Sequence, residues 1–126
     1  MPNMGNVENI LSAFSQEIRL RMAILLLDSS LCVNCLKRVL GLPQSTISRH
    51  LAMMRRGGLV KVRRDNTHCY YTYDKEGHLG QLKKKLIHAY YENLKEEEPF
   101  RNDRKRLEKE ESGCDADCRV GIKSKG

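Results

Sequence analysis

Residues 41–60, Gly-Leu-Pro-Gln-Ser-Thr-Ile-Ser-Arg-His-Leu-Ala-Met-Met-Arg-Arg-Gly-Gly-Leu-Val, constrain the fold more than any other stretch of this chain. They read as a tight turn, a helix, a Gly-Gly break and the start of a strand. At helical spacing Ile47, Leu51 and Met54 face one way, while Ser45, Ser48, Arg49 and Ala52 face the other. A surface of short polar side chains with one long cation suits the major groove of DNA. Small residues let the backbone approach, and an arginine reaches guanine O6 and N7. The pattern points to a helix that reads double-stranded DNA.

The neighbouring segments supply a frame for such a helix. Val7 to Phe14 reads as a short amphipathic helix, and Ser15 as the cap of a second helix, Gln16 to Asp28, with Ile18, Met22, Leu25 and Leu26 at core spacing. A third helix runs from about Cys32 to Leu40 and ends at Gly41, a natural C′ residue. Pro43 opens the fourth, where a missing N–H costs least. After Gly57-Gly58, Val60, Val62, Tyr71 and Tyr73 alternate as a hairpin with Asp65-Asn66-Thr67 as its turn, and Arg63 and Arg64 lie near the tip. A long helix from about His78 to Glu97 carries Leu79, Leu82, Leu86, Tyr90 and Leu94 along one stripe, more apolar surface than a small core needs from its last helix. The order α-α-α-α-β-β-α is that of a winged helix-turn-helix, mainly α with a β-hairpin wing. Its domain spans 1–98, followed by a charged, cysteine-containing tail over 99–126. Thirteen of the eighteen residues from Lys95 to Ser112 are charged, so that stretch has little to bury and is expected to be helical or mobile.

Charge agrees with a polyanionic partner. Twenty-three Lys and Arg against 16 Asp and Glu give a formal +7 over 126 residues. The longest apolar run, Met22 to Leu27, is too short to span a bilayer, and the N-terminus lacks the pattern of a secretory signal. A cytoplasmic protein with no membrane partner is expected, its five cysteines mostly reduced thiols and not a disulfide framework. No nucleophile elbow, phosphate-binding glycine loop or paired carboxylates appear, so an enzyme is not expected.

Taken together, the Ala-Phe-Ser-Gln-Glu-Ile-Arg-Leu-Arg-Met run, Leu-Cys-Val-Asn-Cys-Leu at 31–36, and above all Gln44-Ser45-Thr46-Ile47-Ser48-Arg49-His50-Leu51 followed by Arg-Arg-Gly-Gly-Leu-Val resemble the ArsR/SmtB family of metal-sensing repressors. The resemblance covers roughly residues 7–98. It implies a homodimer paired through first and last helices that holds operator DNA when metal-free and releases it when a metal or metalloid binds. It also implies that Gln44, Ser45, Thr46, Ser48 and Arg49 meet the DNA. On chemical grounds Ser48 and Arg49 suit base edges, and Gln44 and Ser45, near the helix start, suit a phosphate or the groove edge. Arg63 and Arg64 on the wing are expected on phosphate or the minor groove. His50 is expected to pack within the domain.

The cysteines carry the candidate signal. Cys32 and Cys35 stand at i and i+3 at a helix start, where Cβ atoms are about 5–6 Å apart and a thiolate is favoured. From the residues alone this pair fits equally a dithiolate for soft ions and two small core residues. The family resemblance favours ligands, although arsenic-responsive members carry Cys-Val-Cys where this chain has Cys-Val-Asn-Cys. It implies release by As(III) or Sb(III); such a centre prefers three sulfurs, and the tail offers Cys114 or Cys118 in Cys-Asp-Ala-Asp-Cys as candidates for the third. All four sulfurs would suit Cd²⁺, Pb²⁺ or Zn²⁺. Three alternatives stay open: a repressor of the same fold released by oxidation or persulfidation of the dithiol, a repressor sensing Cd, Pb or Zn, and a purely structural zinc site. Cys69 is expected to be a bystander. His78 and His88 are expected at the surface or an interface, because Tyr91 stands where a histidine and carboxylate zinc site needs its partner.

Overall fold

Asn6 starts the first helix: its side-chain oxygen accepts a hydrogen bond from Asn9 N at 2.8 Å, which satisfies one of the amides a helix start leaves open. Helices α1 (Val7–Ala13), α2 (Glu17–Leu25), α3 (Val33–Leu40) and α4 (Gln44–Arg56) follow one another, then strands β1 (Val60–Asp65) and β2 (His68–Tyr73), then α5 (Gly80–Leu94) and α6 (Phe100–Cys118). The structure, a computed structural model, describes residues 6–65 and 68–118, with side chains described to residue 110. The fold is the expected winged helix-turn-helix, extended by a sixth helix.

Three local expectations shift. The cap on α2 is Gln16 and makes no side-chain cap bond. Ser15 Oγ instead donates to Ser12 O at 2.7 Å and accepts from Arg19 Nη2 at 3.3 Å, because the buried Arg19 gathers that turn around itself. Helix α2 stops at Leu25, three residues short of the expected end. Helix α5 starts at Gly80 because Leu79 takes a left-handed φ of 59°, which a helix cannot run through. Gly41 closes α3 in the left-handed conformation, φ 69°, as its sequence position indicated.

The core gathers one stripe from each early helix: Ile10 and Ala13 of α1, Met22 and Ala23 of α2, Leu36 and Val39 of α3, and Ile47, Leu51 and Met54 of α4. Each fully buried Ile, Leu, Met or Val side chain contributes roughly 1.5–3 kcal/mol over the exposed state. Tight packing of α4 on α1 depends on Gly57. A Cβ there would stand 3.0 Å from Asn9 O and 3.1 Å from the Ala13 Cβ. The strands pair antiparallel with Val60 opposite Tyr73 and Arg64 opposite Cys69. An isolated bridge, Leu31 to Tyr71, ties the residue before Cys32 onto the wing.

Helix α6 accounts for the charged stretch. Phe100 enters the core, and the helix lies across α2 and α3. The buried Asp103 accepts two hydrogen bonds from Arg21, at 2.8 and 2.9 Å. Arg38 Nε meets Glu110 at 2.9 Å, and Arg106 Nη1 donates to Val39 O at 3.2 Å.

Candidate DNA-reading face and thiol sites

Helix α4 turns Ile47, His50, Leu51 and Met54 into the core. The same rotation leaves Gln44, Ser45, Ser48, Arg49 and Ala52 exposed on the opposite side, with Thr46 half-buried at the edge. Pro43 is the N-cap of α4 and makes no side-chain cap bond, so it satisfies none of the amides that a helix start leaves open. Helix α3 delivers α4 through the three-residue turn 41–43. Beyond the expected face, Ser48, Ala52, Arg55, Arg56, Leu51 and Tyr71 line a cleft of about 420 Å³ between α4 and the wing. Arg55 and Arg56 are exposed there. Their signal in the sequence was continuity: they follow Arg49 and Ala52 around the same polar arc.

The wing arginines are both exposed and both already engaged. Arg63 lies over the Tyr70 ring, 5.1 Å from its centroid, and 3.9 Å from Asp65. Arg64 Nη1 donates toward Cys69 Sγ at 3.3 Å. The expected turn residues Asn66 and Thr67 lie outside the described residues.

His50 packs inward, as expected. Its Nδ1 is 3.1 Å from Arg19 Nη1, while Arg19 Nε donates to Ala13 O at 2.8 Å and Nη2 to Ser12 O at 3.1 Å. Burial first, then the charges of Arg19 and Arg49, hold the His50 pKa below its ordinary value. A second buried cation, Lys83 of α5, donates to Gly58 O at 3.0 Å and lies 3.7 Å from Asp74. It joins α5 to the end of α4 and the foot of the wing.

The cysteines divide. Cys35 is fully buried in the core and disulfide-bonded. Cys32, the N-cap of α3, is buried and free. Cys69 on β2 is half-buried and free. A ligand set containing Cys32 and Cys35 therefore requires the Cys35 bond to be reduced first. The side chains of Cys114 and Cys118 lie outside the described residues. Among the described residues no three His, Cys, Asp or Glu side chains are gathered as a metal site, and no helix is long and apolar enough to cross a membrane.

Residues 16–62 match the family described as "Bacterial regulatory protein, arsR family". The chain is 43% identical over 89 residues to the transcriptional activator HlyU of Vibrio cholerae serotype O1, covering 71% of this chain and 81% of that protein. It is 31% identical over 86 residues to a cadmium resistance transcriptional regulatory protein, a CadC homolog, of Staphylococcus aureus, covering 68% of this chain and 70% of that one. Reduced HlyU from Vibrio cholerae superimposes with a TM-score of 0.61 at 33% identity, over 69% of this chain and 86% of that one. A homodimeric winged helix-turn-helix DNA-binding domain from Mycobacterium bovis does so with a TM-score of 0.59 at 25% identity, over 73% of this chain and 81% of that one.

Proposed function

This chain belongs to the arsR family of bacterial regulatory proteins, and from that premise we propose that it is a homodimeric transcriptional repressor whose hold on operator DNA is set by the oxidation state of Cys35. It is a DNA-binding regulator and not an enzyme. In the proposed complex Ser48 and Arg49 take base edges, and Gln44, Ser45 and Thr46 take phosphate or the groove wall. Arg63 and Arg64 reach across the backbone. Two copies place their recognition helices about one DNA turn apart, roughly 34 Å or a multiple of it, on a palindromic site. Residues 1–98 bind DNA and dimerise, and the segment 99–126 carries the tail thiols.

The observation that carries the signal is the Cys35 disulfide inside α3, the helix that hands the chain to α4. Cys32 and Cys69 are both free, so the partner we assign to Cys35 is a tail thiol, Cys114 or Cys118. In the reduced protein the α3–α4 pair is set for DNA. Hydrogen peroxide then takes two electrons and two protons from the dithiol and leaves as two waters, and the S–S bond formed re-sets α3. A cytoplasmic setting, where thiols rest reduced, gives such an oxidation its meaning as a signal.

A second reading, release by As(III) or Sb(III), or by Cd²⁺, Pb²⁺ or Zn²⁺, finds support in the cadmium resistance relative. It uses Cys32 and Cys35 with Cys114 or Cys118 in the reduced chain. One titration separates the two: anisotropy of labelled DNA from the region upstream of the coding sequence, with reduced protein, adding peroxide in one series and As(III) or Cd²⁺ in another. The oxidation reading expects affinity to fall at least about tenfold with peroxide, roughly 1.4 kcal/mol, and Cys35→Ser to bind DNA but ignore peroxide. Release by As(III) or Cd²⁺ with no effect of peroxide overturns it in favour of the second.

A further inference from the structure

A second thiol site lies where α3, the recognition helix and the wing meet. Cys32, Val33, Asn34, Gln44, His68 and Cys69 line one open cleft of about 220 Å³. The fold brings them together through the Leu31–Tyr71 bridge. Leu31 N donates to Tyr71 O at 3.0 Å and Tyr71 N to Leu31 O at 2.8 Å, which sets the residue before Cys32 against the strand that carries Cys69. Both sulfurs are free thiols, and neither is used by the Cys35 disulfide. The surroundings favour sulfur chemistry. Cys32 is the N-cap residue of α3 and makes no side-chain cap hydrogen bond, so its sulfur is not committed to the helix start. Cys69 receives the Arg64 guanidinium at 3.3 Å, and His68 lines the same cleft.

We propose that this cleft binds a soft, thiophilic acceptor that two thiolates satisfy, a monosubstituted trivalent arsenical or a two-coordinate ion such as Cu(I), through Cys32 and Cys69. Two sulfurs select such acceptors over hard cations. With an arsenical of the form R–As=O, each thiol sulfur forms a bond to arsenic, and the oxide oxygen leaves as water carrying both thiol protons. Arsenic stays trivalent and no electrons are exchanged. With Cu(I) both thiol protons pass to solvent. Either product joins the start of α3 to β2, next to Gln44 at the head of the recognition helix. It also takes from Arg64 the sulfur on which that wing arginine rests. The site is distinct from Cys35, so the wing cysteine expected to be a bystander becomes a ligand.

The test uses the full chain without reductant, so that Cys35 stays paired, and without DNA, so that its failure is separate from failure of the oxidation reading. The probe is phenylarsine oxide, followed by alkylation with iodoacetamide and peptide mass mapping. Binding at the site slows alkylation of Cys32 and Cys69 together, by about tenfold or more, and gives one arsenic per chain. Cys69→Ser and Cys32→Ser each abolish the adduct and leave the other thiol of the pair open to alkylation. Circular dichroism confirms that both variants fold. Protection of Cys32 that persists in Cys69→Ser, or an adduct on the wild-type chain that leaves Cys69 alkylated, overturns the proposal, as does no adduct at all. A parallel series with Cu(I) in acetonitrile distinguishes the two sources: protection of the same pair assigns the cleft to both kinds of acceptor, and protection by phenylarsine oxide alone assigns it to arsenicals.

Discussion

His50 directly follows Arg49 of the DNA face, yet it points into the domain with only 5% of its surface exposed. Its neighbours are cationic: Arg19 at 3.1 Å and Arg49 next along the chain. The sign of its pH effect follows. The unfolded chain protonates this imidazole near its ordinary 6.5, whereas burial and the two arginines lower the value in the fold. Stability from the neutral imidazole is therefore complete above about pH 6.5 and is lost as pH falls through the lower folded value. Urea denaturation at pH 7.5 and 5 should show a drop for the wild type that His50→Gln, which keeps an acceptor for Arg19, largely removes. An equal drop in both would assign the acid sensitivity elsewhere. Arg49→Ala makes the opposite kind of change, with the fold intact and operator affinity reduced by about 1–3 kcal/mol, a loss of base discrimination. Arg63→Ala, acting on phosphate, should weaken all sequences alike and lower the salt slope by about 1. Which of the two patterns each variant gives in a salt series decides whether helix and wing have these separate roles.

Between elements, the reading from sequence succeeds where spacing is local and stops where partners are distant. The faces of α4 were legible because the helical period runs through about three and a half turns in its thirteen residues. Gly41 was legible because a left-handed C′ has few occupants. The Arg19–His50 contact spans 31 residues and Arg21–Asp103 spans 82, and no local pattern encodes either. Helix α6 shows what was missed. Its charge suggested little to bury in a stretch expected to be helical or mobile, but Phe100, Asp103, Leu107 and Glu110 fall on one stripe, with Phe100 and Asp103 buried. Three of its docking contacts are polar or ionic, so apolar periodicity alone could not find it. Asp103→Ala removes a buried acceptor and leaves Arg21 without its paired carboxylate. A loss of about 2–4 kcal/mol is expected by urea denaturation. Glu110→Ala, which removes a more exposed pair, should cost under about 1 kcal/mol. Equal effects would mean that α6 is not anchored at Asp103. The thiol sites were half legible for a similar reason. The i, i+3 spacing singled out Cys32 and Cys35, but only the Leu31–Tyr71 bridge brings Cys69 to the former.

For the whole molecule, the unspent apolar surface marks the faces through which the proposed dimer pairs. Val7 and Leu11, four residues apart on one side of α1, are 49% and 51% exposed, the large hydrophobic residues left open among the described ones. On α5 the residues fully buried within the chain are Lys83 and Ile87. The leucine stripe of Leu79, Leu82, Leu86 and Leu94 is only half-buried against the core. Completing both faces in a partner is what the proposed dimer does. One charge at the centre of the α1 face tests it, because Leu11 contributes little to the core of its own chain. Leu11→Lys should leave the fold and its thermal stability nearly unchanged while shifting the protein to a monomer by light scattering, since a buried unpaired ammonium at a two-fold interface meets its own copy. Operator binding should then fall by more than the loss of any single base contact, because the second half-site is no longer bound at the effective concentration that linkage provides. Affinity for an isolated half-site should stay unchanged. A Leu11→Lys protein that remains dimeric would remove α1 from the interface, and a monomer that binds the full operator undiminished would remove the dimer from recognition.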